Sequence, residues 1–167
     1  MTSIVYPLAM VSLGLSGAIF GFFYAWICST MWGLDTLDPR DAIRSMQAMN
    51  ASVRNLVFMP AFFFTPLVLG LAAVAAYLAG APRPAIAFAA AAFVYLFGGM
   101  GLTLAVNVPM NEALAATPLP ATTEAAAEIW SEYSPRWQRF NVLRTTFSGV
   151  ALMLTGVGLI LLGRASA

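Results

Sequence analysis

Four apolar runs, separated by two long polar segments and one short turn, organise the chain. The first extends from about Ile4 to Trp32 without a single charge, and the second from about Leu56 to Ala79. The third covers about Ala85 to Val106, and the fourth about Val142 to Leu162. A hydrocarbon core of ~30 Å needs roughly 20 apolar residues per helix, which each run supplies. An open sheet leaves unpaired backbone groups in lipid, and a closed barrel requires alternating strands of about ten residues. These runs are continuous. The expected fold is therefore an all-α integral membrane four-helix bundle, with residues 1–167 forming a single domain.

Gly80 and the Pro82-Arg83-Pro84 turn join the second run to the third, so both long polar segments fall on one membrane side and both termini on the other. Asp38 is suited to N-cap a helix with Pro39 as its first residue. That helix is expected to run on into the second span, with Pro60 and Pro66 as kink points. Ser134 and Pro135 repeat the cap-then-proline signal before the fourth span. A shorter helix from about Thr123 to Tyr133 should precede it, capped by Thr122 or Thr123, with Glu124 in its first turn. Gly14, Gly17 and Gly21 share one face of the first helix, where close packing or a homo-oligomer is permitted; Gly98 and Gly101 serve the third helix in the same way.

Composition removes several classes of function. Hydrophobic residues make up 60% of the chain and charged residues 9%, against about 25% charged in a soluble domain. A net charge of +1 offers no clustered basic surface for nucleic acid. All eight basic residues are arginine and histidine is absent, which excludes His-ligated haem, His-rich copper or zinc sites and a Ser–His–Asp triad. Neither metal nor cofactor is expected. Cys28 is the only cysteine, so no intramolecular disulfide can form. Asp35, Asp38 and Asp41 read as a solvated loop. The first run lacks a basic n-region and is expected to act as its own insertion signal. Six arginines lie on the polar side against two on the terminal side. Several of the six are expected to be committed to the bundle rather than to the loops, so the positive-inside rule sets no orientation.

Polar residues next to apolar runs are costly unless they face the bundle interior. Gln47, Asn50 and Arg54 have the spacing of a single helical face, with Asn55 beside it. Asn107-Val108-Pro109-Met110-Asn111 closes the third span, followed by Glu112. Trp137, Asn141, Arg144 and Ser148 form one stripe into the fourth. The economical reading is convergence in one pocket at the bundle mouth; the alternative is that the groups join helices or snorkel to the headgroups.

These three motifs also resemble a known family. Met46-Gln47-Ala48-Met49-Asn50, with Asn55 and Phe58 beyond, is similar to the first signature of the anthrone oxygenase-like membrane family. Asn107-Val108-Pro109-Met110-Asn111 matches the Asn-Val-Pro-Leu-Asn of relatives. Trp137 with Phe140-Asn141-Val142-Leu143-Arg144-Thr145 corresponds to their Trp-Asn-His-Val-Arg-Thr. Order and spacing agree from about Gly17 to Leu162. Two positions depart: Leu56 stands where relatives often have proline, and Val142 replaces the common histidine, an obvious proton-transfer group.

The resemblance implies a cofactor-independent oxygenase that oxidises an anthrone-like or phenolic hydrophobic substrate with O2, in a bacterial inner membrane. Asn107, Asn111, Asn141 and Arg144 would then act as donors to a developing oxyanion. Gln47, Asn50, Arg54, Asn55, Trp137 and Glu112 would line the substrate site, Trp137 by stacking and Glu112 as the nearest candidate base. The alternative function is non-enzymatic: a small-molecule binding or transport component, or a membrane assembly partner. The rough match of Pro39-Arg40, Gln47, Asn50, Arg54 with Pro135-Arg136, Gln138, Asn141, Arg144 hints at the internal repeat common among transporters.

Overall fold

The computed structural model describes residues 4–166, Ser166 by its backbone alone. Among them all regular structure is helical, in five helices: α1 (Val5–Asp35), α2 (Pro39–Ser52), α3 (Phe58–Leu78), α4 (Pro82–Ala116) and α5 (Thr123–Ser166). α1, α3, α4 and α5 are each long and apolar enough to cross a membrane. Their outward faces carry Met153 at 71% exposure, Ile86 at 69% and Tyr77 at 68%. Such apolar surface is untenable in water and ordinary in lipid. The protein is an integral membrane protein.

The start of α1 packs with the end of α5 through Val5, Ala9 and Leu162, and Leu69, Ala72 and Phe88 complete this terminal-side core. At the other end Trp26 meets Trp137 and Phe22 meets Phe58. The four long helices therefore alternate in direction, and both polar segments lie at one end, as the sequence requires.

Local chemistry explains the breaks. Asp38 adopts an extended conformation before Pro39, the geometry a following proline imposes. Its carboxylate accepts the Arg40 N–H at 2.9 Å and so caps α2. α2 does not continue into the second span as expected. It ends at Ser52, and the Asn55 side-chain oxygen accepts the Val57 and Phe58 N–H groups at 2.8 and 3.0 Å. That Asn-centred turn starts α3 afresh.

Pro60 falls in the first turn of α3, where the missing donor matters little, while Pro66 lies inside the helix. Pro66 leaves the Phe62 carbonyl without its usual partner, and the Tyr95 hydroxyl of α4 donates to that carbonyl at 2.9 Å. Gly80, with φ of +76°, makes the tight turn into α4.

α5 departs furthest from expectation. Ser134 is not a cap: one helix of 44 residues runs through Pro135, about 66 Å at 1.5 Å per residue, twice the hydrocarbon thickness. Pro135 deprives the carbonyl of Ser131, an exposed residue where water can take the bond. Thr122 caps α5, accepting the Ala125 N–H at 3.2 Å. The first half of α5, the tip of α1, α2 and the tip of α4 enclose a second core of Trp26, Met31, Ile43, Met46, Leu114 and Trp130. The two polar segments therefore differ, one broken and one continuous, which weakens the repeat.

Glycines divide by helix. A Cβ at Gly98 would sit 2.2 Å from Phe147, so this glycine sets the close approach of α4 and α5. Gly14, Gly17 and Gly21 have nothing within 4 Å of such an atom; the close packing expected of them is absent within the described chain.

Candidate functional site

Polar side chains stack in three layers along α5, descending from the helical cap into the bundle. The uppermost centres on Asp35. Its carboxylate accepts from Trp130 Nε1 at 2.9 Å, Ser134 Oγ at 2.7 Å and Gln138 Nε2 at 2.9 Å. Asp35 is exposed, yet it is not merely a solvated loop residue, because three α5 donors converge on it. Asp38 adds a second tie, accepting from Thr123 at 3.1 Å, while Asp41 pairs with Arg44 at the surface.

Asn111 forms the middle layer. Its carboxamide oxygen accepts from Tyr133 Oη at 2.9 Å and Trp137 Nε1 at 2.8 Å, joining α4 to α5. Alongside it, Gln47 of α2 donates to the carbonyls of Leu114 and Thr117 at 2.9 and 3.1 Å. Those carbonyls lie at the end of α4, where the usual intrahelical donors run out, although the Thr117 N–H also reaches the Leu114 carbonyl at 3.1 Å. Gln47 is thus a helix cap delivered from another element.

The deepest layer is built around Arg144. Trp137, Asn141, Arg144 and Ser148 are all buried, as their stripe spacing requires. Arg144 Nε donates to Asn141 Oδ1 at 2.8 Å and Nη1 to Thr103 Oγ1 at 3.4 Å, while Asn141 Nδ2 holds the Phe23 carbonyl at 3.2 Å. The guanidinium carbon lies 4.2 Å from the centre of the Phe23 ring and 5.0 Å from that of Trp137. Arg144 has no carboxylate partner among the described residues; the ion pairs are Arg44–Asp41 and Arg54–Glu112. Removing such an ion from water costs several kcal/mol, and desolvated cation–π contacts return ~2 kcal/mol each. The balance leaves a buried cation whose charge no carboxylate among the described residues neutralises.

Asn107 lies on α4 four residues beyond Thr103. It is fully buried, and neither atom of its carboxamide meets a hydrogen-bonding partner among the described residues. An unsatisfied buried polar group costs about 1–3 kcal/mol and calls for an explanation. α4 is π-wound here, over Tyr95–Gly101 and Thr103–Asn107, and α1 is π-wound over Trp26–Thr30. Pro109 supplies a local reason: it cannot donate to Ala105, and the preceding Val108 N–H reaches back to Thr103 instead. Such turns are rare and concentrate at functional sites.

The expected single pocket is not what the helices form. Arg54 lies beyond the end of α2 and pairs with Glu112 at 3.4 Å, both more than half exposed. Glu112 is therefore no buried base beside Arg144. Asn55 belongs to the turn before α3, and Asn50 is buried in α2. A cavity of about 510 Å³ opens between α1 and the α2–α3 turn; Asn55 lines it, whereas Asn107, Asn141 and Arg144 do not. Sequence reasoning missed Thr103 and Phe23. Thr103 was within reach, one turn before Asn107 on the same helix; nothing local marks Phe23. Among the described residues, no three His, Cys, Asp or Glu side chains come together as a metal site.

Comparison with curated proteins and with solved structures finds no match. A family model described as anthrone oxygenase does match, over residues 55–154. That stretch holds Asn107, Asn111, Trp137, Asn141 and Arg144, and leaves Gln47, Asn50 and Arg54 outside. It spans more than half of the chain and contains the entire deepest layer except Phe23, so on this match the chain belongs to the anthrone oxygenase family.

Proposed function

We propose that the protein is a membrane-embedded oxygenase that converts an acidic, phenolic aromatic ketone of the anthrone type to the corresponding quinone with O2 and without a cofactor. The observation that carries this reading is the buried Arg144 guanidinium, held by Asn141 and Thr103 and facing no anion among the described residues. An anthrone methylene opposite a carbonyl loses a proton to give an enolate whose charge rests on oxygen. Arg144 stabilises that oxyanion, and Asn107 supplies the further donor that its own surroundings leave unused.

The enolate passes one electron to O2. The radical pair joins as a carbon–oxygen bond, and the peroxide takes up a proton. Loss of the second methylene hydrogen with O–O cleavage releases water, so that the CH2 group and O2 become C=O and H2O. The first proton leaves to water, since Glu112 is exposed and paired with Arg54. Bilayer-spanning helices suit a substrate dissolved in lipid, and a bacterial inner membrane is the proposed location.

One observation favours a second reading. Gln47, Asn55, Asn111 and Asn141 already serve helix ends and junctions, which is what a non-enzymatic small-molecule binder or assembly partner requires. Oxygen uptake by purified protein with an anthrone separates the two. Arg144→Ala and Asn107→Ala should each lower turnover per folded molecule by about 10²–10³. If both variants melt earlier yet turn over normally, the layer only joins helices. Binding or vesicle flux without oxygen uptake supports the second reading.

A further inference from the structure

The 510 Å³ cavity has one wall on α1, at Phe22 and Trp26, and another at Met49, Val53, Phe58 and Ala61. Its volume falls within the range of small-molecule sites, roughly 300–1,000 Å³. Three features narrow the occupant. Phe22 and Phe58 are 4.7 Å apart between ring centres and present aromatic surface to the space. No charged side chain lines it among the described residues, which selects a neutral ligand. At its polar rim, Thr30 and Ser52 donate their hydroxyl protons to the carbonyls of Ala25 and Met49, at 3.3 and 3.0 Å. Their oxygens are left as acceptors, suited to a ligand that brings an O–H.

Position adds to this. Leu56 and Val57, on the turn beside the cavity, are 91% and 87% exposed. Side chains this apolar and this exposed belong in the bilayer, so the cavity lies beside lipid. At its inner side Trp26 is a shared wall. The Trp26 ring lies 5.0 Å from that of Trp137, which in turn lies 5.0 Å from the Arg144 guanidinium carbon.

We infer that this cavity is the binding site for a neutral, planar, hydroxyl-bearing aromatic molecule taken from the bilayer, its hydroxyl toward Thr30 and Ser52 and its ring beside Trp26. The inference rests on the oxygenase reading only in making this molecule the substrate, held here on its way from the bilayer to Arg144, which does not line the cavity; the binding site is defined by the cavity alone.

The test is equilibrium binding of 9-phenanthrol to the full chain in lipid nanodiscs, with empty nanodiscs as the partition control. Phenanthrene-9-carboxylate serves as the charged comparison. Saturable binding of 9-phenanthrol is expected, with the carboxylate at least tenfold weaker. Ala61→Phe and Val53→Phe fill the cavity from different places and should each weaken binding at least tenfold; Ser52→Ala should weaken it about fivefold. Two filling variants guard against one failing to fold. Equal binding of the carboxylate, unchanged binding in both filled variants, or no saturable binding because lipid chains hold the space would each overturn the proposal. Saturable binding without oxygen uptake by any anthrone leaves the cavity standing and removes the oxygenase. Oxygen uptake whose KM is unchanged in both filled variants does the reverse.

Discussion

Asp35 and Arg144 are the two charges to which α5 commits most polar side chains, and the protein treats them in opposite ways. Asp35 sits at the exposed rim and is matched by three donors from α5. Arg144 sits inside the bundle, matched by one amide oxygen, one hydroxyl and two aromatic faces, with no opposite charge among the described residues. A charge with all its bonds made, where water can still reach it, serves structure: it ties the tip of α1 to the upper half of α5. A charge left incomplete in an apolar interior is worth keeping only for what it can meet there. On the proposed function, that difference distinguishes a fastening from a site.

The largest expected effect separates the two in a single pair of experiments. Arg144→Met should reduce oxygen uptake with an anthrone by at least 100-fold. It should leave the melting temperature close to that of the parent, because an apolar side chain of similar volume removes a buried ion that lacks a charged partner. A melting temperature that collapses with full activity per folded molecule would place Arg144 with Asp35 as a fastening. Asp35→Ala should do the opposite. Three charge-assisted bonds are lost, but exposure screens them, so about 2 kcal/mol of stability is expected to go. Hydrogen exchange should rise in α2 and the first half of α5, with turnover per folded molecule within twofold. Loss of turnover with no such rise would break the comparison from the other side.

Smaller effects sharpen it. Asn55→Ala removes the cap of α3, expected to cost ~1 kcal/mol in thermal or chemical unfolding. Gly14→Ala should be the smallest, since its added methyl meets nothing within 4 Å. Gly98→Ala, by contrast, must push against Phe147 and should cost about 1–3 kcal/mol. If Gly14→Ala were the more damaging, the open face of α1 would have to pack against a second copy.

Much of this was legible along the chain because the force that drives a segment into lipid depends on that segment's own residues. Apolar runs of about 20 residues fix the number of crossings, the short Gly80 turn fixes which ends meet, and the Asp38-Pro39 cap and Thr122 cap follow from neighbouring residues. The burial of Trp137, Asn141, Arg144 and Ser148 followed from helical spacing alone. Ser134-Pro135 misled because the same two residues can start a helix or sit within one. The outcome turned on Asp35, 99 residues away, to which Ser134 donates its proton.

Sequence by itself therefore determined the class, the topology and the polar face of α5. Tertiary structure alone decided which polar groups are used up and which are not. Gln47 and Asn111 look as available in the sequence as Asn107, yet the first two are bonded across helices and the third is not. The physical reason is that hydrogen-bond satisfaction is a property of pairs. A periodic pattern places a side chain on a face, but only the approach of a distant helix decides whether its donors and acceptors are met.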